Sequence, residues 1–173
     1  NALLSNESIE INKATTDEYG FTPLYVACVI GHVDVVNALL SNESIEINKA
    51  TTDEYGFTPL YVACVIGHVD VVNALLSNES IEINKATTDD GATPLYIACD
   101  KGHVDVVNAL LSKESIEINK ATTDKYGETP LYIACLKGYV DVVNALLSQE
   151  SIEINKATTD KYCTTPLYLS LIH

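Results

Sequence analysis

The sequence predicts an all-α solenoid, and three observations carry that expectation. A phrase of four residues, Thr22-Pro23-Leu24-Tyr25, returns at Thr58, Thr93, Thr129 and Thr165, at steps of 36, 35, 36 and 36 residues. Residues 1–53 repeat residues 37–89 letter for letter, the first difference being Glu54 against Asp90. Each copy holds two short apolar runs on either side of a glycine step such as Gly31-His32. Self-similarity at a period of about 20 to 50 residues marks a solenoid, propeller or array, whose units bury their faces only against neighbours.

The first helix of a unit is predicted from Thr-Pro. Thr22 can accept a hydrogen bond at the N-cap, and Pro23 at the first helical position loses only an amide that had no helical partner. The helix spans residues 23–30 and buries Leu24, Ala27 and Cys28, spaced i, i+3 and i+4. Gly31 follows at the position where a left-handed backbone carries no Cβ penalty. A second helix over residues 33–41 turns Val36, Leu39 and Leu40 inward and Asp34, Asn37 and Ser41 outward.

Beyond Leu40 the expectations are looser. Asn42 is a candidate left-handed cap, although Lys113 and Gln149 take that place in later copies, so the helix end is expected to run on there. Ile45 and Ile47 flank Glu46 in an alternation that suits an extended segment with two core anchors. Asp53-Glu54-Tyr55-Gly56 then reads as a turn-forming finger, strained or differently built where Cys163 replaces the glycine.

Five in-register copies of Thr22-Pro23-Leu24, with Ala27, Gly31-His32, Val35-Val36, Leu39-Leu40 and Asn48, resemble the ankyrin repeat over the whole chain. That unit of about 33 residues has two antiparallel helices and a β-turn finger. The resemblance implies a binding role for protein partners through the concave inner-helix face and the finger tips. Tyr25 stands where the family has His, so the family's histidine hydrogen bonds are not expected. The 17 residues between Leu40 and Thr58 exceed the family's usual return, implying a longer finger.

Net charge is −14, with 16 acidic residues against four lysines in residues 1–107 and eight against six beyond. All ten basic residues are lysine, so the bidentate fork suited to phosphates and base edges is missing, which argues against nucleic acid. No apolar run of about 18 residues predicts a membrane span. Cys28, Cys64, Cys99 and Cys135 share one place in the repeat. Stacked helices lie about 8–10 Å apart, beyond disulfide reach, so buried thiols and a cytoplasmic, reducing compartment are expected.

Candidate chemistries are weak. Cys28 and His32 recur as Cys64 with His68 and Cys99 with His103, but a helix end between them and Tyr139 in the fourth copy argue against a nucleophile and its base. Histidines one repeat apart do not converge on a metal. No catalytic residue, metal or cofactor is expected. The informative positions are those where copies differ: Phe21, Phe57, Ala92 and Glu128 before Thr-Pro, and Val29, Ile30, Val65, Ile66, Asp100, Lys101, Leu136 and Lys137 ending the first helix. With the fingertip tyrosines Tyr19, Tyr55 and Tyr126 these form the expected partner-binding set, in which Phe21, Val29, Ile30, Phe57, Val65 and Ile66 make an apolar concave patch.

The expected organisation is one domain of repeats 22–57, 58–92, 93–128 and 129–164, with partial repeats 1–21 and 165–173. The chain reads as a fragment of a longer array. Its ends are expected to permit head-to-tail self-association, which makes a structural, self-assembling array the rival to a binding module.

Overall fold

The structure, a computed structural model, describes residues 10–159 and 163–166. It contains eight helices of eight residues each among the described residues: α1 (Pro23–Ile30), α2 (Val33–Leu40), α3 (Pro59–Ile66), α4 (Val69–Leu76), α5 (Pro94–Lys101), α6 (Val104–Leu111), α7 (Pro130–Lys137) and α8 (Val140–Leu147). First helices stack on first helices and second on second, while each antiparallel pair closes on itself. Two-turn helices are marginal in water on their own, so this mutual burial holds them.

Thr22 begins α1 with an extended backbone, ψ 158°, and its hydroxyl accepts from the Tyr25 amide. Pro23 favours that extended conformation for the residue before it, so sequence and cap agree. Gly31 ends the helix at φ 82°, and its amide donates to the Ala27 carbonyl. A Cβ there would lie 2.8 Å from the His68 ring of the next unit, so side-chain packing as well as backbone conformation requires glycine.

Second helices end at Leu40 rather than running on. Ser41 stays right-handed (φ −72°), and Asn42 does not take the left-handed cap; its Oδ1 instead accepts from the Ser44 amide. The alternation around Glu46 is not a strand. The Lys49 amide turns back to the Glu46 carbonyl, burying Ile47 while Ile45 packs partly against the core.

Second helices also bury a face the sequence reading omitted. Val71 is 1% exposed against the preceding unit, whereas Val35, its equivalent in the first unit, is 47% exposed. Each second helix after α2 therefore contacts both its own first helix and the second helix before it. The expected partial repeat 165–173 falls almost wholly outside the described residues, as do the first nine residues of partial repeat 1–21.

Three sets of hydrogen bonds join the units among the described residues. Along the return, Asn48 donates to the Ser80 carbonyl (2.7 Å) and accepts from the Glu82 amide (2.9 Å), and Asn12, Asn84 and Asn119 repeat this. Along the fingers, the Thr52 amide donates to the Tyr19 carbonyl and the Thr88 amide to the Tyr55 carbonyl, both at 2.9 Å. At the helix turns, His68 Nε2 lies 3.2 Å from the Val29 carbonyl and His103 Nε2 3.1 Å from that of Val65.

Candidate partner-binding surface

Each finger is closed by its own threonine and aspartate. Asp53 Oδ1 accepts from the Thr51 hydroxyl and from the amides of Tyr55 and Gly56, while the Phe57 amide donates to Thr51 Oγ1. The third finger is one residue shorter, so Asp90 takes the part of Asp53 and binds the Thr87 hydroxyl and the Ala92 amide. Cys163 has φ 46°, a left-handed backbone that costs a non-glycine residue about 1–2 kcal/mol, so the expected strain is present there.

This closure places the aromatic residues in columns. The Tyr19 and Phe21 rings stack with centroids 5.3 Å apart, and Phe21 and Tyr25 with centroids 4.9 Å apart. Tyr55, Phe57 and Tyr61 repeat the column at 5.3 and 4.9 Å. The inner tyrosines are buried, Phe21 and Phe57 are half-buried, and the outer Tyr19 and Tyr55 are exposed. Burial, with the charge of Asp90 and Asp89 behind it, pushes the Tyr61 hydroxyl well above the ordinary tyrosine value, so it stays protonated.

Later units differ. Ala92 is 1% exposed, so the expectation that it meets a partner is corrected: the shorter finger draws it into the core. The Tyr96 hydroxyl donates to Glu128 (2.7 Å) in the next finger, and Tyr132 pairs with Thr164 at 3.1 Å. Tyr126 is exposed, with Lys125 Nζ 4.8 Å above its ring. Glu128 and Tyr126 are thereby partly engaged within the chain itself.

At the ends of the first helices, Ile30 is 54% and Ile66 40% exposed, whereas Val29 and Val65 are half-buried. The six-residue apolar patch thus has two open aliphatic members, with Val29 and both phenylalanines packed against the core and Val65 half-buried. In the third and fourth units the same region is charged. Asp100 bonds Lys101 at 2.8 Å and reaches Lys137 of the next unit at 3.4 Å, beside exposed Leu136. Burial alone would push the Asp100 carboxyl up, but the two lysines together outweigh it and hold it below the usual value.

Sequence reasoning missed the asparagine ladder and the tyrosine hydroxyl partners. An asparagine kept in every copy at the start of the finger was the available signal. The histidines, by contrast, sit where a helix-turn role was expected, and His68 and His103 each bond a carbonyl of the unit before.

Helix pairs that meet only their neighbours, joined by hydrogen-bonded fingers, define a linear repeat protein. A family profile for ankyrin repeats in three copies matches residues 1–87 and 81–160. The chain belongs to the ankyrin repeat family, whose members are generally protein–protein interaction modules. No curated protein matches the chain. No helix is long and apolar enough to cross a membrane among the described residues.

Proposed function

We propose that the chain is a protein-recognition module that holds its partner along the first-helix ends and finger tips of residues 19–66. The observation that carries this reading is the exposure of Ile30, Ile66, Tyr19 and Tyr55 in neighbouring units, amid helices whose other large apolar residues are mostly covered. Exposed apolar groups clustered on one surface mark interaction sites more often than chance placement does. The charged ends at Asp100, Lys101, Leu136 and Lys137, with Tyr126 and Glu128, extend the same surface in the later units. On this reading no cofactor takes part, nucleic acid is not the partner, and the buried thiols suit a cytoplasmic setting.

Ile30→Lys combined with Ile66→Lys tests the surface. Once a partner has been identified by cross-linking, calorimetry should show its binding lost while the urea midpoint hardly moves. A stability loss above about 2 kcal/mol would instead make both residues core, since surface changes usually stay within about 0.5 kcal/mol.

A second reading, end-to-end stacking of copies, is favoured by one comparison. Val26 and Val35 border a groove of about 410 Å³ with Phe21, Pro23 and Ile30, whereas the equivalents Val62 and Val71 are buried by a neighbouring unit. Towards the other end, Ile154 is 47% exposed where Ile118 is 4%. Sedimentation velocity across a hundredfold concentration range distinguishes the readings: a growing series of head-to-tail species supports stacking, and a constant monomer rejects it.

A further inference from the structure

We infer that the paired aromatic columns of the first two fingers form a docking strip for a basic, proline-rich segment in the polyproline II conformation. This rests on the recognition reading above and names the partner class for its finger-tip portion. Three properties of the strip lead to that chemistry: its spacing, its rigidity and its charge.

The columns Tyr19–Phe21 and Tyr55–Phe57 occupy the same place in adjacent units, and stacked helices set units about 8–10 Å apart. A polyproline II chain rises about 3.1 Å per residue with three residues per turn, so it repeats every 9 Å or so. Successive turns of such a segment lying across the fingers meet successive tyrosines. An α-helix, with a pitch of about 5.4 Å, falls out of step after one unit.

Rigidity follows from the finger ladder. The Tyr19 and Tyr55 carbonyls each accept from the next finger, and each outer ring is braced by a stacked phenylalanine. A preformed aromatic surface suits a ligand that is itself extended and carries little entropy to lose. The polyproline backbone has unpaired carbonyls, and exposed Tyr19 supplies a hydroxyl donor, whereas the Tyr55 hydroxyl bonds Glu54 and offers its ring face.

Charge supplies the basic character. Glu18 and Glu54 are exposed beside the two tyrosines, and the half of the chain that carries the strip holds most of the acidic excess. A segment with lysine or arginine at every third position places its cations along one edge, over those carboxylates. The strip stops at the third finger, which is one residue shorter, lacks the tyrosine and has buried Ala92 in the phenylalanine's place.

The test is a fluorescence-anisotropy titration of the intact chain with a labelled peptide of four Lys-Pro-Pro triplets. Controls are four Lys-Gly-Ser triplets, equally charged but flexible, and four Glu-Pro-Pro triplets. The proline-rich basic peptide should bind at least fivefold tighter than the flexible one, and the acidic peptide should not bind. Phe21→Ala with Phe57→Ala should weaken binding at least tenfold while leaving the fold intact, because the fourth finger, of the same length, forms with Glu128 in place of the phenylalanine. Val140→Ser, exposed and outside the strip, should change nothing.

Equal binding of the two basic peptides would overturn the inference and reduce the strip to an acidic surface. Selection from a peptide-display library then separates this failure from a wider one. Selected peptides without proline that lose binding on Phe21→Ala with Phe57→Ala would refute the polyproline assignment and keep the recognition reading for the fingers. An empty selection would sink the fingers' role in both.

Discussion

Cys28 is the residue on which environment acts most plainly. Burial pushes its thiol up to about 12, and Cys64 and Cys99 shift the same way for the same reason. A raised folded-state pKa means that the folded chain keeps protons the unfolded chain loses. The associated stability is complete below the unfolded thiol value of about 8.5 and drains away as pH rises toward 12, at about 1.4 kcal/mol per pH unit per thiol. Urea midpoints should therefore fall between pH 8 and 9.5, before the tyrosines titrate strongly. The slope should flatten when Cys28, Cys64 and Cys99 are all changed to alanine; an unchanged slope would show that the thiols are not its source. The same burial predicts slow reaction of these three with thiol reagents in the native chain, with exposed Cys163 labelled first. Equal rates for all four would contradict the stacked-helix core.

The first helices were legible to the residue, because Thr22-Pro23 and Gly31 punctuate both ends and the apolar spacing between them matches a helix face. Second helices were legible in extent but not in what they bury. Val71 reads as one of four consecutive valine and aspartate positions, and only stacking reveals that it faces the unit before it. The return and finger were least legible, since their geometry comes from side chains that bond backbone groups about 31–34 residues away, such as Asn84 with Ser115 and Glu117. Of the expected surface, Ile30, Ile66 and the outer tyrosines are exposed, whereas Ala92 is buried because deleting one finger residue moves it inward. Asn84→Ala should cost about 0.5–1.5 kcal/mol for each of its solvent-exposed bonds to Ser115 and Glu117, and hydrogen exchange should quicken at the Glu117 amide. Exchange left unaltered there would show that the ladder contributes no local stability.

At the scale of the molecule, stability is a sum over units and the interfaces between them. Interior units have neighbours on both sides, so hydrogen exchange should be slowest in α3 to α6 and faster in α1, α2, α7 and α8. Leu75→Ala, at a wholly buried interior site, should lower stability by about 2–5 kcal/mol. Leu39→Ala, the same residue in the first unit, should cost less because fewer contacts surround it. Equal losses, measured by urea denaturation, would mean that the array unfolds as one cooperative block.

The interchangeable seams between units have a consequence for how such a chain changes over generations. Residues 1–36 and 37–72 are the same string, so excising 37–72 joins Val36 to Asn73 and leaves the sequence of residues 37–173. Every pairing across the new junction, from Asn48 with Ser80 to His68 with Val29, has a counterpart that folding has already solved. A recombination slip of one unit is therefore silent at the level of fold and felt only as length. Reach along a partner becomes a quantity that heredity can count up or down in whole units, without inventing a single new contact.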